Sequence, residues 1–105
     1  MTTARMDEII EDQFIYCKQL LIKKGEEYAD MCPDRLQAFK TAAAMQNISP
    51  IQALGGMMAK HTTSIYDLIN RGCGDEVLWD EKITDHINYL LLLKCLIFEA
   101  SDVEV

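Results

Sequence analysis

The sequence predicts an all-α fold, four helices gathered into one bundle-like domain. Three observations predict it. Apolar residues recur at three-and-four spacing through most of the chain, turn signals gather at three breaks, and no period-two alternation bounded by hairpin turns occurs. With 105 residues, half of them hydrophobic, the chain is long enough for one core and short for two. One domain over residues 1–105 is the expectation.

Ile10, Phe14, Cys17 and Leu21 are spaced as one face of an amphipathic helix, which predicts a first helix from about Thr3 to Ala29, loosened at Gly25. The first break is Cys32-Pro33-Asp34, after which RLQAFKTAAAMQ is rich in strong helix formers and predicts a short second helix. Asn47-Ile48-Ser49-Pro50-Ile51-Gln52 is the clearest start signal in the chain. Ser49 suits the N-cap, Pro50 the first helical position, and Gln52 completes a capping box. The third helix should stop near Arg71-Gly72, since Gly72 and Gly74 supply left-handed conformations. Within it, Gly55-Gly56 predicts a close helix crossing, because glycine in a helix costs about 1 kcal/mol relative to alanine and needs a compensating contact. A fourth helix from about Glu76 to Ser101 completes the set. Its expected core seam is Ile83, Ile87, Leu90 and Ile97, which share one side at 100° per residue.

Charge and cysteine usage restrict the function classes. A formal charge of -7 argues against general binding to nucleic-acid backbone, which needs a positive surface. It leaves room for a small phosphate-bearing ligand held through a cation on carboxylates. Apolar residues are not gathered into a run of roughly 18 or more, and MTTARMDEIIEDQ lacks the basic-then-apolar order of a secretory signal. The expectation is a protein of the cytoplasm with no membrane contact. Cys17, Cys32, Cys73 and Cys95 form no CxxC pair and are not spaced with the histidines as zinc ligands, so reduced thiols are expected.

Candidate chemistry starts on the last helix. Glu81, Asp85 and Asn88 lie nearly opposite the isoleucine seam, and the same line continues as Leu92 and Cys95. A face that is polar for two turns and then apolar belongs to a helix that is central or at a dimer interface. Two carboxylates one turn apart repel unless a cation offsets them, and a hard divalent ion such as Mg2+ is the natural partner. The plainer reading is that acids at a helix start favour its dipole and face water. Glu27 and Asp30, at i and i+3 near the end of the first helix, run against the dipole there and call for another reason. Two acidic pairs on neighbouring helices can converge on a metal in a bundle.

Other polar and aromatic residues each carry two readings. Lys60 follows an apolar run and suits either a phosphate contact or a snorkelling surface position. His61 is nearly in line with Leu54, Met58, Ile65 and Leu68, which favours a hydrogen-bonded histidine at the core edge over a ligand. Trp79, Tyr28, Tyr66 and Tyr89 can stack on a base, although aromatics at helical spacing usually serve a core.

K-x-x-E-Y in Lys24 to Tyr28, the central helix with Lys60-His61, and E-x-x-x-D-x-x-x-Y in Glu81 to Tyr89 form a recognisable arrangement. The chain resembles small all-α proteins of the nucleotide-modification-associated type, many of them encoded by phages and prophages. These are similar to the all-α nucleoside triphosphate pyrophosphatases, the MazG and dimeric dUTPase group. The resemblance implies magnesium held by acids of neighbouring helices and a metal-activated water attacking between the α and β phosphates. Glu27 matches the acid of the first motif and Tyr28 its aromatic, while Asp85 matches the acid of the last helix and Asn88-Tyr89 the pair after it. Two departures stand out: E-x-x-x-D replaces the usual E-x-x-D, and Glu26-Glu27-x-x-Asp30 replaces E-x-x-E.

The expectation is then a homo-oligomeric, nucleotide-binding protein with Glu27, Asp30, Glu81 and Asp85 as the Mg2+ set. Lys24, Tyr28, Lys60, Asn88 and Tyr89 are the ligand contacts, with Lys60 on phosphate, Asn88 on sugar or base, and a tyrosine stacked. Hydrolysis of (deoxy)nucleoside triphosphates is one outcome. The alternative is a non-catalytic phage anti-defence protein that sequesters a nucleotide signal or inhibits a host protein complex through its acidic surface. A helical module without ligand is the third reading, since each polar feature also has an ordinary structural explanation.

Overall fold

The structure, a computed structural model, describes residues 1–28, 33–72 and 74–102, with the side chain of Tyr28 excepted. Four helices make up the described chain: α1 (Thr3–Tyr28), α2 (Gln37–Gln46), α3 (Pro50–Arg71) and α4 (Glu76–Asp102). No strand occurs among the described residues, so the fold is all-α and bundle-like.

Local chemistry sets the helix ends. Thr2 starts α1, its hydroxyl oxygen accepting from the Arg5 amide at 3.1 Å. At α3 the expected capping box forms, with Ser49 Oγ accepting from Gln52 N at 3.1 Å and Gln52 Oε1 from Ser49 N at 2.9 Å. Two orphan amides are thereby satisfied, and Pro50 occupies a position whose amide would have had no partner. Asp75 caps α4 through the Leu78 amide at 2.8 Å. At their C-termini, α2 ends on Asn47 and α3 on Gly72, both left-handed at φ 56° and 63°. Such a conformation turns the next amides back onto the last free carbonyls.

α4 is the central element, packing against α1 and against α3, while α3 also carries α2. The core lies among α2, α3 and α4: Leu36, Phe39, Leu54 and Leu96 are buried, with Met57, Met58, Tyr89, Leu92 and Leu93 around them. Leu54 is fully enclosed, so truncating it to alanine should cost about 2–5 kcal/mol. Towards α1 the contact is made by Cys17 and by Gln13, which reaches Thr84 of α4.

Three expectations are corrected. The inward line of α4 is Thr84, Asn88, Leu92 and Leu96 at i, i+4 spacing, whereas Ile83, Leu90 and Ile97 are 37%, 48% and 46% exposed. Hydropathy alone picks the wrong side because the buried line begins with two polar residues. Ile10 and Phe14 are likewise exposed, and α1 uses Cys17 and Leu21 from that stripe. Gly55 and Gly56 mark no close crossing, since a Cβ at either would meet nothing within 4 Å.

Candidate functional site

A cleft of about 640 Å³ opens where α1, the start and outer face of α2, and α4 meet. Leu21 and Lys24 come from α1, Asp34 and Arg35 from the segment before α2, and Asp85, Asn88, Tyr89 and Leu92 from α4. Gln37, Ala38, Thr41, Ala42 and Met45 form one face of α2, and the small Ala38 and Ala42 leave the floor open.

Asn88 is the central observation. It is 6% exposed, yet its Oδ1 has no hydrogen-bond partner. A buried carbonyl oxygen without a donor loses its hydration and gains nothing in return, a penalty of about 1–3 kcal/mol. Such an atom in the wall of a cleft is an acceptor waiting for an N–H or O–H from outside the chain.

The wall beside it is fixed in place. Tyr89 contacts Phe39, edge-on with ring centroids 6.4 Å apart, and His61, whose ring is 4.7 Å away and tilted by 37°. A ring fixed by two neighbours loses little freedom when a planar group packs on it. Burial holds the His61 imidazole below the usual histidine range, against the opposing pull of the Asp85 carboxylate. The neighbouring His86 exchanges a hydrogen bond with the Thr62 hydroxyl, Nε2 to Oγ1 at 3.0 Å, tying α4 to α3.

The cleft's charge is balanced. Arg35 crosses to α1 and donates to the Leu21 carbonyl at 3.0 Å, passing over Gly25, where a Cβ would stand 2.9 Å from its Nε. Glycine at position 25 therefore makes room for the guanidinium. Asp34 accepts from the Leu36 amide at 2.9 Å and from Lys40 Nζ at 2.6 Å, and Lys40 also donates to Glu99 of α4. The Lys40 ammonium, with the Leu36 amide, holds the Asp34 carboxyl below its ordinary range; Asp34 and Glu99 raise Lys40. This bridge fastens the start of α2 to α4.

The expected site residues divide. Lys24, Asp85, Asn88 and Tyr89 come together at the cleft. Lys60 is exposed on α3 and is not among its lining. Glu27 is exposed, and Glu81 lines a separate hollow of about 430 Å³ with Tyr16, Val77 and Asp80. Asp30 and the Tyr28 side chain lie outside the described residues. Among the described residues, no three His, Cys, Asp or Glu side chains gather closely enough to hold a metal ion. The described acids of the expected magnesium set thus do not meet around one point.

Sequence reading missed Arg35, Phe39 and the Asp34–Lys40–Glu99 bridge. One signal for Arg35 was present, the glycine at position 25 inside a helix, but nothing local indicates which side chain crosses it. No helix of the described residues is long and apolar enough to cross a membrane. Comparison with protein-family models, with curated proteins and with solved structures finds no match for the chain.

Proposed function

We propose that the α1–α2–α4 cleft binds a nucleotide-type ligand. The observation that carries this reading is the buried, unpartnered Oδ1 of Asn88 beside the fixed ring of Tyr89. A nucleobase offers both complements, an N–H donor on its edge and a flat face for the ring. Lys24 and Arg35, also lining the cleft, supply cationic donors for phosphate. The acids Asp34 and Asp85 select against a bare polyanion and favour a ligand with donors of its own.

Binding is the core of the proposal, and retention or hydrolysis of the ligand is its second part. A protein that sequesters a nucleotide signal needs the cleft alone. A pyrophosphatase needs in addition a metal-activated water; of the two carboxylates in the cleft lining, Asp34 is bonded to Lys40, which leaves Asp85 as the candidate to hold it.

The test is thermal unfolding of the protein against nucleoside triphosphates, monophosphates and cyclic oligonucleotides, each with and without magnesium. A ligand at 100 times its dissociation constant should add about 2.7 kcal/mol. The expected result is a stabilising ligand whose effect disappears in Asn88→Leu. No stabilisation by any member of the panel, or a shift that survives Asn88→Leu, would refute the reading. Chromatography of the ligand after incubation then separates enzyme from sponge.

A further inference from the structure

Asp85 and Asn88 stand three residues apart on α4, so their side chains leave one face of the helix, and both line the cleft beside Tyr89. We propose that this pair selects the base: Asp85 and Asn88 read the amino edge of guanine, and the ligand of the cleft is a guanine nucleotide. The inference rests on the nucleotide reading above and adds to it the identity of the base.

The chemistry of the pair is one-sided. An ionised carboxylate only accepts hydrogen bonds, and Asn88 adds the buried Oδ1 that has no donor. Among the described residues, no side-chain hydrogen bond or ion pair engages the Asp85 carboxylate. Asp34, the other acid of the lining, is already held by Lys40 and by the Leu36 amide. Two oxygens of Asp85 and one of Asn88 are thus acceptors in need of donors.

Guanine supplies three donors on one edge. Its N1–H and the two hydrogens of its 2-amino group lie side by side, so a carboxylate takes N1–H and one amino hydrogen while a second acceptor takes the other. Two oxygens bonded to one amino group at about 2.9 Å, and about 120° apart around it, are separated by about 5 Å. Residues three or four apart on a helix hold their Cβ atoms about 5–6 Å from each other, a matching span. Adenine and cytosine also carry an amino group, but the ring nitrogen beside it presents a lone pair to the second carboxylate oxygen. Uracil has one N–H between two carbonyls, and a carboxylate repels both. With Asp85 on the base and Asp34 on Lys40, neither carboxylate of the lining is left for a metal-activated water, so the cleft retains its ligand.

The test is calorimetric titration of the full chain, with magnesium present, using the mono- and triphosphates of guanosine, inosine, xanthosine, adenosine and uridine. Cyclic dinucleotides of guanosine and of adenosine are run beside them. Guanosine forms should bind best. Inosine forms lack only the 2-amino group and should bind about 10- to 100-fold more weakly, since a donor is lost and Asn88 Oδ1 stays stranded. Asp85→Asn should reverse the order of guanosine and xanthosine, because a carboxamide donates to the 2-carbonyl of xanthine and accepts from its N1–H. Should that variant misfold, the wild-type ratio of guanosine to inosine decides. Equal or tighter binding of another base overturns the inference and leaves the nucleotide reading standing, whereas no binding by any member of the panel overturns both. A guanosine preference unmoved in a folded Asp85→Asn overturns the inference alone, and so does release of pyrophosphate from GTP that Asp85→Asn abolishes.

Discussion

Gln13 of α1 donates its amide to Thr84 Oγ1 of α4 at 2.8 Å, and Thr84 is 1% exposed. The same Nε2 lies 3.2 Å from Cys17 Sγ, so one side chain spans the seam between the two helices. Removing it leaves a buried hydroxyl without its donor from α1, and such a group costs about 1–3 kcal/mol. Gln13→Ala should therefore lower unfolding free energy by about that amount in urea titration. Pairing it with Thr84→Val should restore part of the loss, because the group left stranded is then gone. A fully additive double variant would show that the bond contributes no coupling.

Asn88 should behave oppositely to an ordinary buried asparagine. Its Oδ1 has no partner, so Asn88→Leu, which keeps the branched shape and the number of side-chain heavy atoms and can expand into the adjoining cleft, should leave the ligand-free protein as stable as the wild type or up to about 2 kcal/mol more stable. The same substitution should abolish nucleotide binding. Gain of stability with loss of binding is the pattern of a functional group held at a structural disadvantage. The measurement is chemical denaturation without ligand beside a binding isotherm; a large loss of stability in the ligand-free variant would assign Asn88 to the fold.

The fold was largely legible because its signals are local. Ser49-Pro50-x-Gln52 specifies a helix start through bonds within four residues, and Gly72 specifies an end through its own backbone. The side on which α4 is buried was not legible, because it depends on Thr84 meeting Gln13 across the chain and on which apolar stripe finds a partner within it. Asp85 and Asn88 were singled out by residue type and helical phase, Lys24 and Tyr89 through the resemblance, and all four line the cleft. Arg35 was not, since its position follows from crossing Gly25 on a helix ten residues earlier in sequence, a tertiary fact. Lys60 shows the converse: a chemically apt residue on a helix face that never reaches the cleft.

Gly25 offers a way to separate stability from binding. A Cβ there would come within 2.9 Å of Arg35 Nε, but the guanidinium ends a flexible side chain that can swing aside. Alanine also favours a helix over glycine by about 1 kcal/mol. Gly25→Ala should thus keep or slightly raise the unfolding temperature while displacing Arg35 from the cleft. Affinity for a phosphate-bearing ligand should fall several-fold, and affinity for the corresponding nucleoside should change little. Calorimetry with both ligands checks this; equal losses for the two would mean that Arg35 does not serve the phosphate.

Protonation of His61 gives the last prediction. The residue packs on Tyr89 and is partly buried, and burial lowers its affinity for a proton; Asp85 opposes this, while Lys60, Lys82 and His86 add to it. Its folded pKa is therefore below the unfolded value of about 6.5. Above that value the imidazole is neutral in both states and the full stability is present. As pH falls below about 6.5 the unfolded chain takes up the proton first, so stability declines until the folded pKa is passed. The carboxyl of Asp34, also lowered, acts only further down, from about pH 3.9, so the two windows are separate. Unfolding temperature should drop between pH 7 and 5 in the wild type and drop less in His61→Gln, which has no proton to take. Because the imidazole presses on the wall of the cleft, its charging should also weaken the ligand in the same interval. Parallel slopes for the two proteins would show that His61 does not govern stability there.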